Sequence, residues 1–157
     1  MTRRIDFKLN GETRSVEVEP SDILLDVLRE KLGVKSPKIG CERGDCGACT
    51  VLLDGKSVRT CLILAIEVDG HEITTVEGLN REGLTPLQQS LLEHGSFQCG
   101  YCAPGVVLAA TELLGRNPHP TEAEVKEAIA GNLCRCTGYE PIIRAIVGTG
   151  QKAGGRV

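Results

Sequence analysis

Eight cysteines carry the most obvious chemistry of this sequence, and they fall into two sets of four. The first set has the spacing C-x4-C-x2-C-x11-C and consists of Cys41, Cys46, Cys49 and Cys61. This order of gaps is typical of plant-type [2Fe-2S] sites, in which four thiolates hold two irons. Glycines at positions 40, 44 and 47 would let the backbone pass close to a cluster with its N–H groups directed inward. A four-cysteine zinc site and a disulfide framework are the alternatives, and the x4 gap in a glycine-rich loop favours iron-sulfur.

The second set joins a C-x2-C pair to a distant C-x-C pair and consists of Cys99, Cys102, Cys134 and Cys136. Each pair lies at a predicted helix boundary. The N–H groups and the positive dipole end of a helix N-terminus would favour an anionic cluster there. By spacing alone this set also suits zinc, so the residues leave both kinds of site open.

Composition and charge narrow the class of protein. Its 18 Lys plus Arg and 21 Asp plus Glu give a net charge of -3, which argues against a nucleic-acid or anionic-membrane partner. No apolar signal-peptide core follows the N-terminus, and no run approaches the roughly 18 apolar residues of a membrane span. We therefore expect a soluble cytoplasmic protein, in which closely spaced cysteines stay reduced and serve as metal ligands.

The elements that position the first set form a small α+β domain, expected at residues 1–77. Period-two alternation and turn residues, Asn10-Gly11 first among them, indicate strands. They predict two hairpins and a last strand at residues 5–18, 51–59 and 72–76. A helix of about three turns is expected between the hairpins, with Ser21 as its N-cap and Gly33 as its end.

The second set belongs to an all-α domain, expected at residues 84–157, with a boundary near residues 77–83. Capping residues and prolines predict a bundle of four helices at residues 86–95, 104–114, 121–130 and 139–147. Residues 148–157 contain four glycines and are expected to be a frayed or partner-bound end.

Taken together, three motifs resemble the iron-sulfur subunit, or N-terminal iron-sulfur region, of the molybdenum hydroxylase family. That family includes xanthine dehydrogenase, aldehyde oxidoreductase and aerobic carbon monoxide dehydrogenase. The motifs are GCERGDCGACTV at residues 40–51, QCGYC at residues 98–102 and GNLCRCTGY at residues 131–139. The resemblance covers roughly residues 5–147. One departure is Ala103, where many relatives carry threonine at a position that holds no metal.

The resemblance implies a β-grasp, plant-type ferredoxin-like domain followed by a four-helix-bundle domain, with one [2Fe-2S] cluster in each. Cys41, Cys46, Cys49 and Cys61 would hold the cluster nearer a flavin. Cys99, Cys102, Cys134 and Cys136 would hold the cluster nearer molybdenum. The resemblance also implies that the Cys136 sulfur and the Gln98 side chain contact molybdopterin, whereas from the residues alone Gln98 could be an ordinary helix-end cap.

The resemblance further implies an electron-transfer subunit without a catalytic site of its own. It would relay single electrons between the molybdopterin of a large subunit and the FAD of a medium subunit, in a dimer of heterotrimers. The three histidines, His71, His94 and His119, lie among polar residues and are expected to face solvent. A free-standing two-cluster ferredoxin and a structural two-zinc protein are the alternative functions.

Several residues beside the cysteines have expected roles. Arg135 would stabilise a reduced cluster or form an ion pair with the large subunit. Tyr101 and Tyr139 would shield a cluster from water by packing. Arg43 and Asp45 would face solvent or the flavin subunit.

Overall fold

A five-stranded mixed sheet forms the first half of the chain in the computed structural model, which describes residues 1–153. Its strands are β1 (Arg3–Leu9), β2 (Glu12–Val18), β3 (Thr50–Leu53), β4 (Lys56–Arg59) and β5 (Glu72–Thr74). The strand order is β2-β1-β5-β3-β4, in which β1 runs parallel to β5 and the other neighbours are antiparallel. The α+β class predicted for this half is confirmed.

Both predicted hairpins are present, and their turns show why. Asn10 and Gly11 have φ of 54° and 80°, and Asp54 and Gly55 have φ of 49° and 79°. Two successive positive φ values define the two-residue turn whose twist matches that of the flanking strands. The turn residues therefore fix the register of both hairpins.

The helix between the hairpins is shorter than predicted, and Ser21 does not cap it. The side chain of the next residue, Asp22, accepts a hydrogen bond from the backbone N–H of Glu19 at 3.0 Å, so the chain turns before the helix begins. Gly33, with φ of 71°, ends the helix as expected. The helix consists of α1 (Leu24–Asp26) continued by a π-helical turn (Val27–Lys31).

One face of the sheet buries the core of this half. Alternate side chains of β1, at Ile5, Phe7 and Leu9, point into it because successive residues of a strand face opposite sides. Leu24 and Leu28 of the helix pack against them.

Five helices make up the second half: α2 (Val76–Leu79), α3 (Pro86–Glu93), α4 (Ala103–Arg116), α5 (Glu122–Ile129) and α6 (Glu140–Ala153). The four longer ones were predicted. Capping boxes at Thr85 with Gln88 and at Thr121 with Glu124 begin α3 and α5. The short α2 falls where the sequence predicted only a boundary. Within residues 1–153, no helix is both long and apolar enough to span a membrane.

Helix α6 corrects the prediction of a frayed end from residue 148. It continues to Ala153, and the Thr149 hydroxyl donates a hydrogen bond to the Ala145 carbonyl at 2.8 Å. A Cβ at Gly150 would lie 2.3 Å from the Pro118 carbonyl oxygen, so glycine allows α6 to pack closely there. The rest of that prediction concerns residues 154–157, which lie outside the described residues.

Candidate iron-sulfur sites

The loop of residues 40–49, which leads into β3, holds three cysteines of the first set. The Cys41 sulfur accepts hydrogen bonds from the backbone N–H groups of Asp45 at 3.2 Å and Cys46 at 3.3 Å. The Cys46 sulfur in turn accepts one from the Cys41 N–H at 3.4 Å. A Cβ at Gly40 would lie 2.6 Å from the Cys46 sulfur. Backbone N–H groups of the loop therefore surround its own sulfurs, and Gly40 allows the close approach because it has no side chain.

Cys61 joins this loop from the turn that follows β4. The neighbouring Thr60 donates its hydroxyl to the Cys49 carbonyl at 2.8 Å, which ties the two segments together. The Cys61 thiol hydrogen-bonds the Cys49 thiol and lies near Cys41. All four predicted residues of the first set are thus brought together, as the pairs Cys41 with Cys46 and Cys49 with Cys61.

The electrostatics of this site differ from sulfur to sulfur. Backbone N–H groups of Arg43 and Cys46 lower the pKa of the Cys41 thiol to about 6. Burial and the neighbouring Cys49 thiol raise the pKa of Cys61 to about 11. The protein surroundings therefore favour the thiolate form of Cys41 and the protonated thiol of Cys61.

The second set lines one pocket of about 220 Å³, to which Gly40, Cys46 and Ala48 of the first loop also contribute. The sulfurs of Cys99 and Cys136 lie 3.6 Å apart, and the Cys102 and Cys134 thiols hydrogen-bond each other. Cys102 directly precedes α4, so one pair lies at a helix N-terminus as predicted. Cys99 and Cys136 are exposed, whereas Cys102 is buried.

A hydroxyl on either side fixes the backbone around Cys134. The Tyr139 hydroxyl accepts a hydrogen bond from the Cys134 N–H at 2.8 Å, and the Thr137 hydroxyl lies 3.3 Å from the Cys134 sulfur. Tyr139 has φ of 71°, a left-handed conformation that is rare for a bulky residue and that its hydrogen bonds hold in place. Burial would raise the pKa of Cys134, but hydrogen bonds from Thr137 and Cys136 outweigh it and lower that pKa. Burial and the Cys134 thiol raise the pKa of Cys102 to about 12.

The donor sets fit two-iron clusters better than the alternative sites. All eight cysteines are free thiols and stand in pairs, as two irons with two thiolates each require. In the first set Cys41 pairs with Cys46 and Cys49 with Cys61. In the second set Cys99 pairs with Cys136 and Cys102 with Cys134. Inward N–H groups in the first site and a sulfur-lined pocket in the second complete the fit.

Gln98 lies beside Cys136 but caps no helix. Its amide nitrogen donates to the Cys136 carbonyl at 3.1 Å, and its side chain is exposed. The two residues predicted to contact molybdopterin are therefore adjacent on the surface, and Cys136 lines the pocket of the second set. Arg135 lines the same pocket and is also exposed.

The two tyrosines beside the sites differ in burial. Tyr139 is half-buried, as a shielding role requires, but Tyr101 is 48% exposed. The Tyr101 hydroxyl donates to the Ile39 carbonyl, and the Lys38 ammonium lies 5.5 Å from the centre of its ring. Tyr101 also lines the pocket of the second set, where a shielding residue is expected, and its hydroxyl connects the two halves of the chain.

The remaining polar residues singled out from the sequence lie at the surface. Arg43 and Asp45 are exposed and form an ion pair at 2.6 Å. His71, His94 and His119 are exposed, as predicted.

A contact between the two loops was not found from the sequence. The Leu133 N–H donates to the Cys46 carbonyl at 2.9 Å, and Asn132 and Arg59 add side-chain hydrogen bonds across the same contact. Asn132 lies within a motif noted for its cysteines, and Arg59 ends a short strand. Their roles depend on how two distant segments pack, which spacing along the chain does not encode.

Comparison with known proteins adds to this geometry. Residues 7–74 match the 2Fe-2S iron-sulfur cluster binding domain, and residues 75–147 match the [2Fe-2S] binding domain. Over 143 residues the chain is 50% identical to the nicotine 6-hydroxylase small subunit of Paenarthrobacter nicotinovorans, covering 91% of this chain and 87% of that one. It is 51% identical over 143 residues to the nicotinate dehydrogenase small FeS subunit of Eubacterium barkeri, covering 90% and 91%.

A solved structure agrees in fold and sequence. A chain of quinoline 2-oxidoreductase from Pseudomonas putida 86 superposes with a TM-score of 0.93 at 47% identity, over 99% of each chain. The relatives are subunits of multi-subunit oxidoreductases. With two [2Fe-2S] domains, the β-grasp and four-helix fold, and these relatives, the chain belongs to the small iron-sulfur subunits of the molybdenum hydroxylase family.

Proposed function

We propose that this chain relays single electrons between the molybdopterin of a large subunit and the FAD of a medium subunit. One observation carries the proposal: two separate four-cysteine sites lie in one small chain, and a direct hydrogen bond joins their loops. An iron-sulfur cluster changes its charge by one electron, so two neighbouring clusters would pass electrons singly. The complex would be a dimer of heterotrimers.

The ligand assignment follows the two sets. Residues 1–77 would form the first domain and hold one cluster through Cys41, Cys46, Cys49 and Cys61. Residues 84–157 would form the second and hold the other through Cys99, Cys102, Cys134 and Cys136. The free state of all eight thiols supports this assignment, and it supports a reducing, cytoplasmic location.

The surface around the second site supports its orientation towards the large subunit. The exposed side chains of Cys136 and Gln98 would contact molybdopterin there. Three large apolar side chains near this opening are also exposed: Ile39 by 42%, Tyr101 by 48% and Leu133 by 54%. Such a cluster is typical of a surface that a partner covers, and it argues against a free-standing ferredoxin.

Isolation of the complex from its native host tests this proposal. A tag on the N-terminus, remote from both cysteine sets in sequence, should recover the chain with molybdenum- and flavin-containing partners. Both clusters should then become reduced when the complex oxidises its substrate. Recovery of the chain alone, with both clusters present, would instead indicate the free-standing carrier.

A further inference from the structure

Three glycines let the two cysteine loops touch. A Cβ at Gly47 would lie 2.3 Å from the Gly131 carbonyl oxygen, and a Cβ at Gly105 would lie 2.4 Å from the Gly47 carbonyl oxygen. Such distances exclude any side chain. The backbone contact of Leu133 with Cys46, at 2.9 Å, lies directly beside these glycines. We call this region, formed by residues 46–50, 59, 105 and 131–133, the inter-loop joint.

Asn132 is the polar side chain at the centre of the inter-loop joint. It is 1% exposed, and its amide nitrogen donates to the Gly47 carbonyl and to the Thr50 hydroxyl oxygen, each at 3.1 Å. Its backbone carbonyl accepts from Tyr139 at 3.3 Å. Asn132 therefore hydrogen-bonds the loop of the first site through its side chain and the turn of the second site through its backbone.

Arg59, at the end of β4, adds hydrogen bonds to the same contact. Its guanidinium donates to the Thr50 hydroxyl at 3.1 Å and to the Gly131 carbonyl at 2.8 Å. The Thr50 hydroxyl itself donates to the Gly47 carbonyl at 2.6 Å. Two side chains thus converge on one short stretch of the first loop from opposite sides.

The inter-loop joint is not arranged for stability alone. Asn132 Oδ1 and Arg59 Nε are buried without a hydrogen-bond partner among the described residues. Leaving a buried polar atom unpaired is destabilising, so an apolar contact would hold the halves together at lower cost. Hydrogen bonds, unlike apolar contacts, have preferred distances and angles, so each one fixes a specific atom of one loop relative to the other.

We propose that Asn132 is a positioning residue that sets the distance between the two clusters and thereby the rate of electron transfer between them. This inference rests on the proposed relay. It concerns the geometry between the sites and not the ligands of either. Because Asn132 adjoins Leu133 and Cys134, a shift at this residue moves the second loop relative to the first.

The test uses the full chain with both clusters bound, in three variants. Asn132→Ala removes both hydrogen bonds that the Asn132 side chain donates, and Thr50→Val removes the hydroxyl that accepts one of them. Asn117→Ala is the matched control, because that side chain also donates one bond in the helical half, to Glu124 at 3.0 Å, away from the inter-loop joint. Pulsed EPR then measures the distance distribution between the two reduced clusters, and flash reduction measures the inter-cluster rate.

Asn132→Ala is expected to keep both clusters with unchanged g-values while broadening the distance distribution and slowing inter-cluster transfer. Thr50→Val should shift both readouts the same way, and the double variant should add little, because the two residues share one contact. The control should match wild type. A residue that only stabilises the fold would leave the distance unchanged in the molecules that remain folded.

Wild-type distance and rate in Asn132→Ala would overturn the inference. If that variant does not fold, Thr50→Val provides the test, because it removes the acceptor of one Asn132 bond. Wild-type distance and rate in Thr50→Val would then overturn the inference. A wild-type chain that lacks one cluster would overturn the proposed relay itself, which separates the two failures.

Discussion

The two cysteine sites are built in different ways, although each gathers four sulfurs. The first takes three of them from one loop, residues 41–49, whose own N–H groups surround Cys41. The second takes its sulfurs from two distant segments, residues 99–102 and 134–136, and leaves two of them exposed. The first site therefore depends on local backbone conformation, whereas the second depends on the packing of the helices that bring its halves together.

The largest effect should come from removing one ligand at each site. Cys136→Ser is expected to abolish the EPR signal of the second cluster and to block internal electron transfer, while the signal of the first cluster remains. Cys49→Ser should do the reverse. Loss of both signals in equal measure in either variant would contradict the assignment of two independent sites.

Core truncation tests whether the second site depends on helix packing. Ile142 and Ile73 are both fully buried, Ile142 in the core of the helical half and Ile73, on β5, in the core of the sheet half. Replacing either with Ala should lower the free energy of unfolding by about 3 kcal/mol. In a denaturant titration followed by visible CD, Ile142→Ala should release the second cluster first, and Ile73→Ala the first. Simultaneous loss in both variants would show that the two cores unfold as one unit.

Local sequence signals predicted much of this fold. Asn10-Gly11, Thr85 and Thr121 act on residues within three positions of themselves, so their turn and caps were recognisable without the structure. Ser21 failed because its neighbour Asp22 formed a competing bond to Glu19. Ser21 and Asp22 are adjacent polar residues, and rules based on neighbouring positions do not predict which of the two side chains will bond the backbone.

The cysteine sets were recognisable for the same reason that the inter-loop joint was not. Thiols at characteristic spacing predict metal binding from the sequence alone. Asn132 and Arg59 bond across the inter-loop joint only because residues 47 and 131 are in contact in the folded chain. The left-handed backbone of Tyr139 is held by hydrogen bonds within residues 132–139, which its own residue type does not predict. Positioning residues, unlike ligands, leave little trace in the spacing of a single sequence.

A smaller effect, confined to the second site, is expected from Tyr139→Phe. It leaves the Cys134 N–H without its hydroxyl partner and should lower the free energy of unfolding by about 1 to 2 kcal/mol. The midpoint potential of the second cluster should shift because the backbone beside a ligand relaxes, while that of the first stays constant. Tyr101→Phe, whose hydroxyl bonds Ile39, is the control. Equal shifts of both potentials in Tyr139→Phe would contradict a local role.

The smallest effect concerns the support that Glu77 gives to the segment just before the first loop. The Glu77 carboxylate accepts hydrogen bonds from the N–H groups of Lys35 and Ser36, at 3.1 and 2.9 Å, just before that loop. Burial would raise the pKa of Glu77, but bonds from the Ser36 and Thr75 hydroxyls outweigh it and lower that pKa. Glu77→Gln should lower the free energy of unfolding by about 1 kcal/mol at neutral pH, a small value because solvent screens this partly exposed carboxylate.

The pH dependence of that variant has a definite sign. A lowered carboxyl pKa means that the stabilisation is present above the ordinary pKa of a glutamate and is lost as pH falls through the lowered value. Thermal unfolding should therefore show a constant difference between Glu77→Gln and wild type at neutral pH, which shrinks only in acid. A difference that grows in acid would contradict this account of Glu77.

The two cysteine sites are expected to hold two distinct [2Fe-2S] clusters. EPR of the dithionite-reduced chain, together with iron and acid-labile sulfide analysis, tests it most directly. We expect two signals of equal integrated intensity that differ in g-values and relaxation, because one cluster is wrapped by its loop and the other lies near the surface. A colourless chain that binds two zinc ions and contains no labile sulfide would contradict the account.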